Sequence, residues 1–266
     1  MKSLSKLHPT MEEVLLRFPH LGEQIFKKLS NKNLVKCMTV SITWYNFIIN
    51  KKFYELRVKY ENGQKNVDKS GNTPLHKAAE DGNLSKCMTI INNVENKNPA
   101  NVKGRTPLHF AARFGHLDIC RFLIEKIEDK NPGHGRTYTP LHLAAGYGHL
   151  DICQLIIEQI VDKNPASDYN CGLTPLHLSA ENGYLNVCKL IIEKIADKNP
   201  GCNTGYTPLH HAAEKGHLDV CRFIIDNVDD KFPVNDFDET PMDLADENNH
   251  IAVYQLFKAY EALGKE

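Results

Sequence analysis

Histidine and cysteine are the residues of this sequence that could do chemistry, because both can bind metals and both can take part in catalysis. The chain contains 13 His and 8 Cys. Zinc ligands usually occur as close pairs such as Cys-x-x-Cys, and the sequence has no such pair. A Gly-rich phosphate loop, a Gly-x-Ser-x-Gly elbow and a His-Glu-x-x-His pair are missing as well. We therefore predict no catalytic residue, no metal and no cofactor.

Most of these histidines and cysteines instead recur at fixed distances from a threonine. Five cysteines lie 14 residues after one: Cys87, Cys120, Cys153, Cys188 and Cys221. Two sets of histidines do the same: His76, His109, His142, His177 and His210, and His116, His149, His217 and His250. Repetition favours a role in the scaffold, where buried thiols act as small apolar side chains. Cys37, Cys171 and Cys202 follow no pattern. Cys171 and Cys202 fall in neighbouring loops and could approach each other, but we expect free thiols.

The threonines belong to a tetrapeptide, Thr-Pro-Leu-His, that is repeated along the chain. It begins at Thr73, Thr106, Thr139, Thr174 and Thr207, and a variant, Thr-Pro-Met-Asp, begins at Thr240. Successive steps are 33, 33, 35, 33 and 33 residues. This period with this tetrapeptide resembles the ankyrin-repeat family. The resemblance implies six repeats over residues 66–264 and an all-α fold, a solenoid of helix-turn-helix repeats with hairpin loops.

The repeated residue types fit two helices per unit. Threonine can cap the first helix, and proline suits its first turn, where a missing N–H costs nothing. Paired alanines, such as Ala111 and Ala112, let helices approach closely, and Gly115 suits a left-handed helix end. The resemblance makes the histidine of the tetrapeptide a hydrogen-bonding spacer between repeats. In the second helix, apolar residues recur every three or four positions and predict one buried stripe: Leu117, Cys120, Leu123, Ile124 and Ile127.

The positions that differ between repeats are the candidate binding residues. Partners of ankyrin proteins contact the loop tip just before the threonine and the exposed end of the first helix, seven and eight residues after it. Here the combination of residues at those positions differs in every repeat, and Tyr, Phe and Arg are frequent interface anchors. A solvated variable face is the alternative. A protein target on the concave ankyrin face would contact Arg105, Arg113, Phe114, Tyr138, Tyr147, Tyr169 and Tyr206.

Two units depart from the pattern. The 35-residue step places two extra residues in the loop before Thr174. Insertions of this kind often lie on the binding face of a solenoid, although a neutral insertion would look the same. The sixth unit has Asp243, Asp246 and Asn249 in place of His, Ala and Gly, and Tyr254 in place of Cys. We interpret it as a capping repeat with an acidic, solvated surface, and we assign it no site.

Residues 11–60 do not fit the repeat and have a helical spacing of their own. The segment contains, in order, Phe18, Pro19, Ile25, Phe26, Leu29, Leu34, Cys37, Val40, Ser41 and Trp44. This order resembles the F-box, with Phe18, Gly22 and Asn33 as departures from its usual pattern. F-boxes dock on the Skp adaptor of a cullin-RING ubiquitin ligase. The resemblance assigns that contact to Phe18, Pro19, Ile25, Phe26, Leu29 and Leu34. The alternative is a helical cap that shields the first repeat.

Charge is unevenly distributed along the chain. Residues 1–60 hold eleven Lys and Arg against four Asp and Glu, whereas the remaining residues hold 21 and 29. The two parts are therefore expected to bind different partners. No stretch reaches the roughly 18 apolar residues of a membrane span, and the N-terminal residues lack the apolar run of a secretory signal. We predict a cytoplasmic protein without membrane association, with the nucleus as an alternative.

Together these features predict a protein-protein interaction module and not an enzyme. Its function would be substrate recognition in a ubiquitin ligase of the Skp-cullin-F-box type, with the target on the ankyrin groove. The alternative is an ankyrin scaffold or a sequestering, inhibitory protein with no ligase link. We expect no small-molecule substrate. We also expect no nucleic-acid binding, because acidic residues are interleaved with the basic ones at the N-terminal side.

Overall fold

The computed structural model of the chain describes residues 67–94, 96–133, 138–167 and 171–263. The predicted F-box segment lies outside these ranges together with the six residues assigned to the Skp contact, and so do Cys37 and Tyr169. Of the described residues, 67–74 and 99–102 form one compact unit, in which the backbone N–H of Val102 donates to Ser70 O at 3.1 Å. The described parts of 75–98 and 103–263 form the other unit.

Twelve helices in six consecutive pairs account for the regular structure of the described ranges, which contain no strand. Their bounds are α1 (Pro74–Glu80), α2 (Leu84–Ile91), α3 (Pro107–Phe114), α4 (Leu117–Lys126), α5 (Pro140–Gly146), α6 (Leu150–Ile157), α7 (Pro175–Glu181), α8 (Leu185–Ile192), α9 (Pro208–Glu214), α10 (Leu218–Asn227), α11 (Pro241–Glu247) and α12 (Ile251–Leu263). First helices α3, α5, α7, α9 and α11 pack on one another in sequence, and second helices α2 to α12 do the same. The predicted all-α array of helical hairpins is confirmed.

Each first helix from α3 onward begins at a capping threonine, as the tetrapeptide predicts. At α5, Thr139 accepts a hydrogen bond from the backbone N–H of His142, and its own backbone N–H donates to His142 Nδ1 at 3.3 Å. The equivalent donation in α3, α7 and α9 spans 2.9, 3.1 and 3.0 Å. Two otherwise unpaired donors at the helix start are thereby satisfied. Since Nδ1 accepts, the proton of this imidazole sits on Nε2.

The core follows the predicted apolar stripe of the second helices. The five cysteines of the repeated position are all fully buried. Paired alanines such as Ala144 and Ala145 are also fully buried, which allows first helices to pack closely. A leucine or isoleucine side chain that is buried this deeply contributes roughly 1–3 kcal/mol to the free energy of folding. Cys171 and Cys202 carry free thiols, the first exposed and the second half-buried.

Glycine is favoured after the first helix of the first five units for two independent reasons. Gly115 has φ +78°, in the left-handed region that favours glycine. A Cβ there would also lie 2.7 Å from His149 Cε1, so the imidazole of the next repeat fills the space that a side chain would need. The same contact recurs between Gly183 and His217. Tyr184 replaces the histidine against Gly148.

The loops after α4, α6 and α10 contain a cap that we did not predict from the sequence. Nζ of Lys130 donates to Ile124 O at 2.6 Å, and Lys231 donates to Ile225 O at 2.9 Å and to Val228 O at 3.0 Å. These ammonium groups satisfy carbonyls at the helix C-terminus, where the helix dipole also favours a cation. The signal in the sequence is the recurring Asp-Lys before the Asn-Pro of the loops.

The sixth unit keeps the geometry of the others with different residues. Asp243 replaces the spacer histidine, and its Oδ2 accepts the backbone N–H of Thr240 at 2.8 Å. Asn249 takes the place of the glycine, with φ +59°. Asn is one of the few residues that tolerate this conformation. Among the described ranges, no helix has the length and apolar character needed to cross a membrane.

Candidate protein-binding face

The predicted contact positions lie at the two ends of the first helices, and the scaffold histidines hold the backbone there. Nε2 of four of the five spacer histidines donates to the carbonyl of the residue before the next threonine. These bonds run from His76, His142, His177 and His210 to Arg105, Leu173, Tyr206 and Glu239, over 2.9, 3.0, 3.1 and 3.1 Å. The loop tips, and hence the side chains they carry, are fixed by the repeat that precedes them.

The second set of histidines fixes the other end of the first helix. Nε2 of His116 donates to Glu80 O at 3.0 Å, and Nε2 of His149 donates to Arg113 O at 3.0 Å. His217 and His250 make the same bond to Glu181 O and Glu214 O, each at 2.9 Å. The accepting residues occupy the first of the two predicted contact positions at the helix end. The predicted scaffold role of both histidine sets is confirmed at these residues, and their target is the backbone of the variable positions.

Arg113, Phe114 and Tyr147 come together across the second and third repeats, and we call them the Arg113 cluster. The guanidinium carbon of Arg113 lies 5.5 Å from the Phe114 ring centroid and 5.3 Å from that of Tyr147. Phe114 is 44% exposed and Tyr147 is 46% exposed. Their inner edges rest on scaffold imidazoles, Phe114 on His116 and Tyr147 on His149, each with ring centroids 6.5 Å apart. The cluster is therefore an aromatic surface that packs on scaffold histidines, with the Arg113 guanidinium next to both rings. Such a surface suits contact with a protein partner.

Tyr206 forms a second cluster with residues of the fifth and sixth units, and we call it the Tyr206 cluster: Tyr206, His211, Phe237 and Glu239. The Tyr206 hydroxyl donates to Glu239 Oε2 at 2.9 Å. Its ring lies 5.6 Å from that of His211 and 6.3 Å from that of Phe237, which is 64% exposed. Burial, followed by the Glu239 hydrogen bond and nearby carboxylates, raises the pKa of Tyr206 to about 12.

His211 and Phe237 are site residues that our sequence analysis missed. His211 stands where the other repeats from the second onward have Phe110, Leu143, Leu178 and Leu244, and that substitution was the available signal. Burial lowers the pKa of His211 to about 4, so the ring is neutral near pH 7. Within the described ranges its buried Nε2 has no hydrogen-bond partner.

The remaining predicted contact residues are less available than expected. Tyr138 is half-buried, with its ring stacked on His142 at a centroid distance of 5.2 Å. Arg105 is also half-buried. Leu173, at the equivalent tip of the fourth unit, is buried, and its carbonyl accepts from Ser167 N at 2.9 Å within the longer loop. The structure thus brings Arg113, Phe114 and Tyr147 together, keeps Tyr206 apart from them and leaves the loop tips partly covered.

Burial makes spacer histidines such as His142 and His177, and the repeated cysteines, poorly suited to proton transfer or nucleophilic attack at neutral pH. Burial lowers the pKa of His142 to about 4 and that of His177 to about 3. Burial raises the pKa of the Cys87 and Cys188 thiols to about 11 and that of Cys120 and Cys221 to about 12. A thiol is nucleophilic as its thiolate, which these groups do not form near pH 7. In the ranges that the structure describes, no cluster of three His, Cys, Asp or Glu could hold a metal ion.

Comparison with protein-family models gives two matches. Ankyrin repeats match in three stretches, residues 48–134, 127–202 and 195–263, each of which spans two of the six units. The F-box domain matches residues 15–56. A search of curated proteins found no match. The two matches cover the repeated units described above and the segment that precedes them.

Proposed function

This chain belongs to the ankyrin-repeat family and carries an F-box domain, and from that premise we propose that it is the substrate-recognition subunit of a Skp-cullin-F-box type ubiquitin ligase. The ankyrin face holds the protein to be ubiquitylated. The F-box holds the Skp adaptor, which in turn joins the cullin. The observation that carries the proposal is the F-box match at residues 15–56 directly before the ankyrin repeats.

The target binds at the Arg113 cluster and the loop tips beside it. Half-exposed aromatic rings that are already held in place bury apolar area at little cost in side-chain entropy, which is a property of interface hot spots. The variable positions Arg105, Tyr138, Tyr169 and Tyr206 extend the contact along the face. This assignment is supported by the exposure of Phe114 and Tyr147 and by the two cation-π contacts of Arg113.

The chain contributes proximity and no chemistry of its own. Tethering a target beside the ligase raises its effective concentration to the millimolar range for a suitable linker length. Both families are non-catalytic interaction modules. The repeated thiols and imidazoles are buried structural groups, which agrees with a binding role.

Purification with candidate ligase subunits tests the ligase link. We expect the full chain to co-purify with a Skp adaptor and a cullin, and the double variant Pro19→Ala, Ile25→Ala to lose both. Lys2→Ala, Lys6→Ala, outside the F-box match, is the matched control and keeps them. If the wild-type chain binds neither subunit, or the Pro19, Ile25 variant still binds both, the proposal is wrong and a scaffold or sequestering protein is favoured.

Affinity measurements on a target captured by crosslinking test the face. Phe114→Ala, Tyr147→Ala should weaken binding by several kcal/mol in total, about 2 or more, because both rings are anchors. Val161→Ala, Met88→Ala removes comparably exposed apolar side chains elsewhere, since Val161 is 97% exposed and Met88 45%. This control should leave the affinity unchanged. Equal affinities of the two double variants would place the target elsewhere.

A further inference from the structure

Charge changes sign along the face that the first helices form. In the second repeat, Arg113 at the helix end and Lys103 and Arg105 in the loop are all basic. In the first repeat, Glu80 and Asp81 both pair with Lys77, at 2.9 and 3.1 Å, which leaves one unbalanced negative charge and confines the basic stretch to the second repeat.

From the fourth repeat onward the same positions are acidic. Glu181 ends α7, Glu214 ends α9 beside Lys215 at 2.8 Å, and Asp246 and exposed Glu247 end α11. Glu239 adds a carboxylate at the loop tip of the sixth unit, flanked by exposed Asp236 and Asp238. Lys215 offsets Glu214, and the remaining carboxylates leave these positions acidic overall.

The Tyr206 hydroxyl, which donates to Glu239 Oε2 at 2.9 Å, lies in this acidic part of the face. The pKa of the Tyr206 hydroxyl is raised by burial, by its hydrogen bond to Glu239 and by the charges of Glu214 and Glu247. The three carboxylates come from three separate segments: α9, the loop before Thr240, and α11. Exposed Phe237 and Val234 lie in that same loop and give it an apolar side.

We propose that this face binds an extended segment of the target that carries acidic residues over the Arg113 cluster and basic residues over the Tyr206 cluster. The proposal rests on the proposed function and adds the chemical class of the target segment. Each end combines an aromatic surface with a single sign of charge, which favours an oppositely charged residue next to an apolar one.

The packing of the first helices sets the spacing between the two charges in the target. From α3 to α9 there are three helix-to-helix steps, and from α3 to α11 there are four. At about 8–10 Å per step the distance is roughly 24–40 Å. An extended chain advances about 3.3 Å per residue, so the acidic and basic residues should be about seven to twelve residues apart.

Selection from a library of random 16-residue peptides displayed on phage tests the proposal with the full chain as bait. We expect enriched peptides to carry acidic residues toward one end and basic residues toward the other, about seven to twelve positions apart, enriched about threefold to tenfold over the library. The orientation of the peptide is free, so either end can be acidic.

Charge-reversal variants test which part of the face binds the acidic residues of the peptide and which part binds the basic ones. Arg113→Glu should remove the acidic preference and keep the basic one, whereas Glu181→Lys, Glu247→Lys should do the converse. Arg121→Glu on α4 is the control for the first variant, and Glu125→Lys, Glu193→Lys on α4 and at the end of α8 is the control for the second. All three control residues are exposed on second helices or at their ends, and these variants should select like the wild type.

Two results separate failure of this inference from failure of the proposed function. In the first, the selected peptides depend on Phe114 and Tyr147 and yet carry no pair of opposite charges, or carry the charges at no fixed spacing. That result overturns the charge inference and leaves the target-binding face in place. Peptides that bind Phe114→Ala, Tyr147→Ala as well as they bind the wild type, or no enrichment at all, contradict the target face itself and the inference with it.

Discussion

The seam between neighbouring repeats and the face at the ends of the first helices follow opposite rules. We define the seam as the repeated threonine, histidine, glycine and cysteine positions. From one unit to the next, nearly the same residues make the same bonds at these positions. On the face, the positions that those bonds hold carry Arg113, Tyr206 or Glu214 in different units. The comparison teaches that repetition within one chain can separate residues that make the fold from residues that choose a partner.

Substitutions at the repeated positions of the seam show which of its features are conserved in structure. Tyr184 fills the space beside Gly148 that an imidazole fills elsewhere. Ser179 replaces an alanine, and its hydroxyl donates to Leu176 O at 3.0 Å within the core. Asp243 replaces a histidine yet still accepts the backbone N–H of the capping threonine. Each substitution preserves the local packing or the cap, so the seam constrains geometry more than residue identity.

Acidification should produce the largest effect, and it should act on the seam. His142 and His177 accept a backbone N–H at Nδ1 and take up a proton only near pH 4 and pH 3, whereas in the unfolded chain they do so near pH 6.5. The unfolded state therefore binds more protons below pH 6.5, and stability is lost as the pH falls from there toward the folded pKa values. Between pH 7 and pH 5 we expect a loss on the order of 4 kcal/mol for the two together. Denaturant unfolding at each pH measures it.

The variant His177→Asn tests whether protonation of this histidine causes its share of the lost stability. Asn keeps an acceptor near the cap but cannot titrate, so the contribution of His177, about half of the loss expected for His142 and His177 together, should disappear. If the free energy of unfolding of the variant falls with pH as steeply as that of the wild type, other groups cause the acid sensitivity.

Gly115→Ala should destabilise the fold by about 3 kcal/mol, because it forces a left-handed alanine and pushes the His149 ring away from Arg113 O. Gly201→Ala is the matched control, since its new Cβ would lie no closer than 3.7 Å to the nearest non-neighbouring atom. Urea midpoints compare the two. If both variants unfold at the same urea concentration, the glycine-histidine contact is not a constraint on the seam.

Cys153→Ser should cost about 2 kcal/mol, because it places a hydroxyl in a fully buried apolar position. Cys171→Ser changes an exposed thiol in a loop and should cost little. Thermal unfolding of the two single variants distinguishes them. A similar cost for both changes would contradict the assignment of the repeated cysteines to the core.

Replacing the aromatic residues of the face should have the smallest effect on stability. Phe114→Ala and Tyr147→Ala should each change the free energy of unfolding by at most about 1 kcal/mol, because both rings are nearly half exposed. The same variants should weaken target binding strongly. A large loss of stability would place these rings in the seam and remove the distinction drawn above.

The period of the tetrapeptide was enough to predict the helix pairs, the caps, the glycine conformation and the buried cysteines, because each depends on a local rule repeated in register. Contacts between side chains of different units were beyond it. Arg113 reaches a ring in its own unit and one in the next, and Tyr206 meets His211, Phe237 and Glu239 from three segments. Such contacts depend on rotamers and loop paths that periodicity does not encode. For the same reason the burial of Leu173 in the longer loop was not foreseen.

Ubiquitin transfer in a reconstituted assembly tests the central claim most directly. The full chain, Skp adaptor, cullin and target are combined with a ubiquitin-conjugating enzyme, and binding and modification of the target are measured for two double variants. Pro19→Ala, Ile25→Ala should lose the adaptor and keep the target, Phe114→Ala, Tyr147→Ala should lose the target and keep the adaptor, and both should abolish modification. Modification of the target at the wild-type rate by either variant would contradict the account.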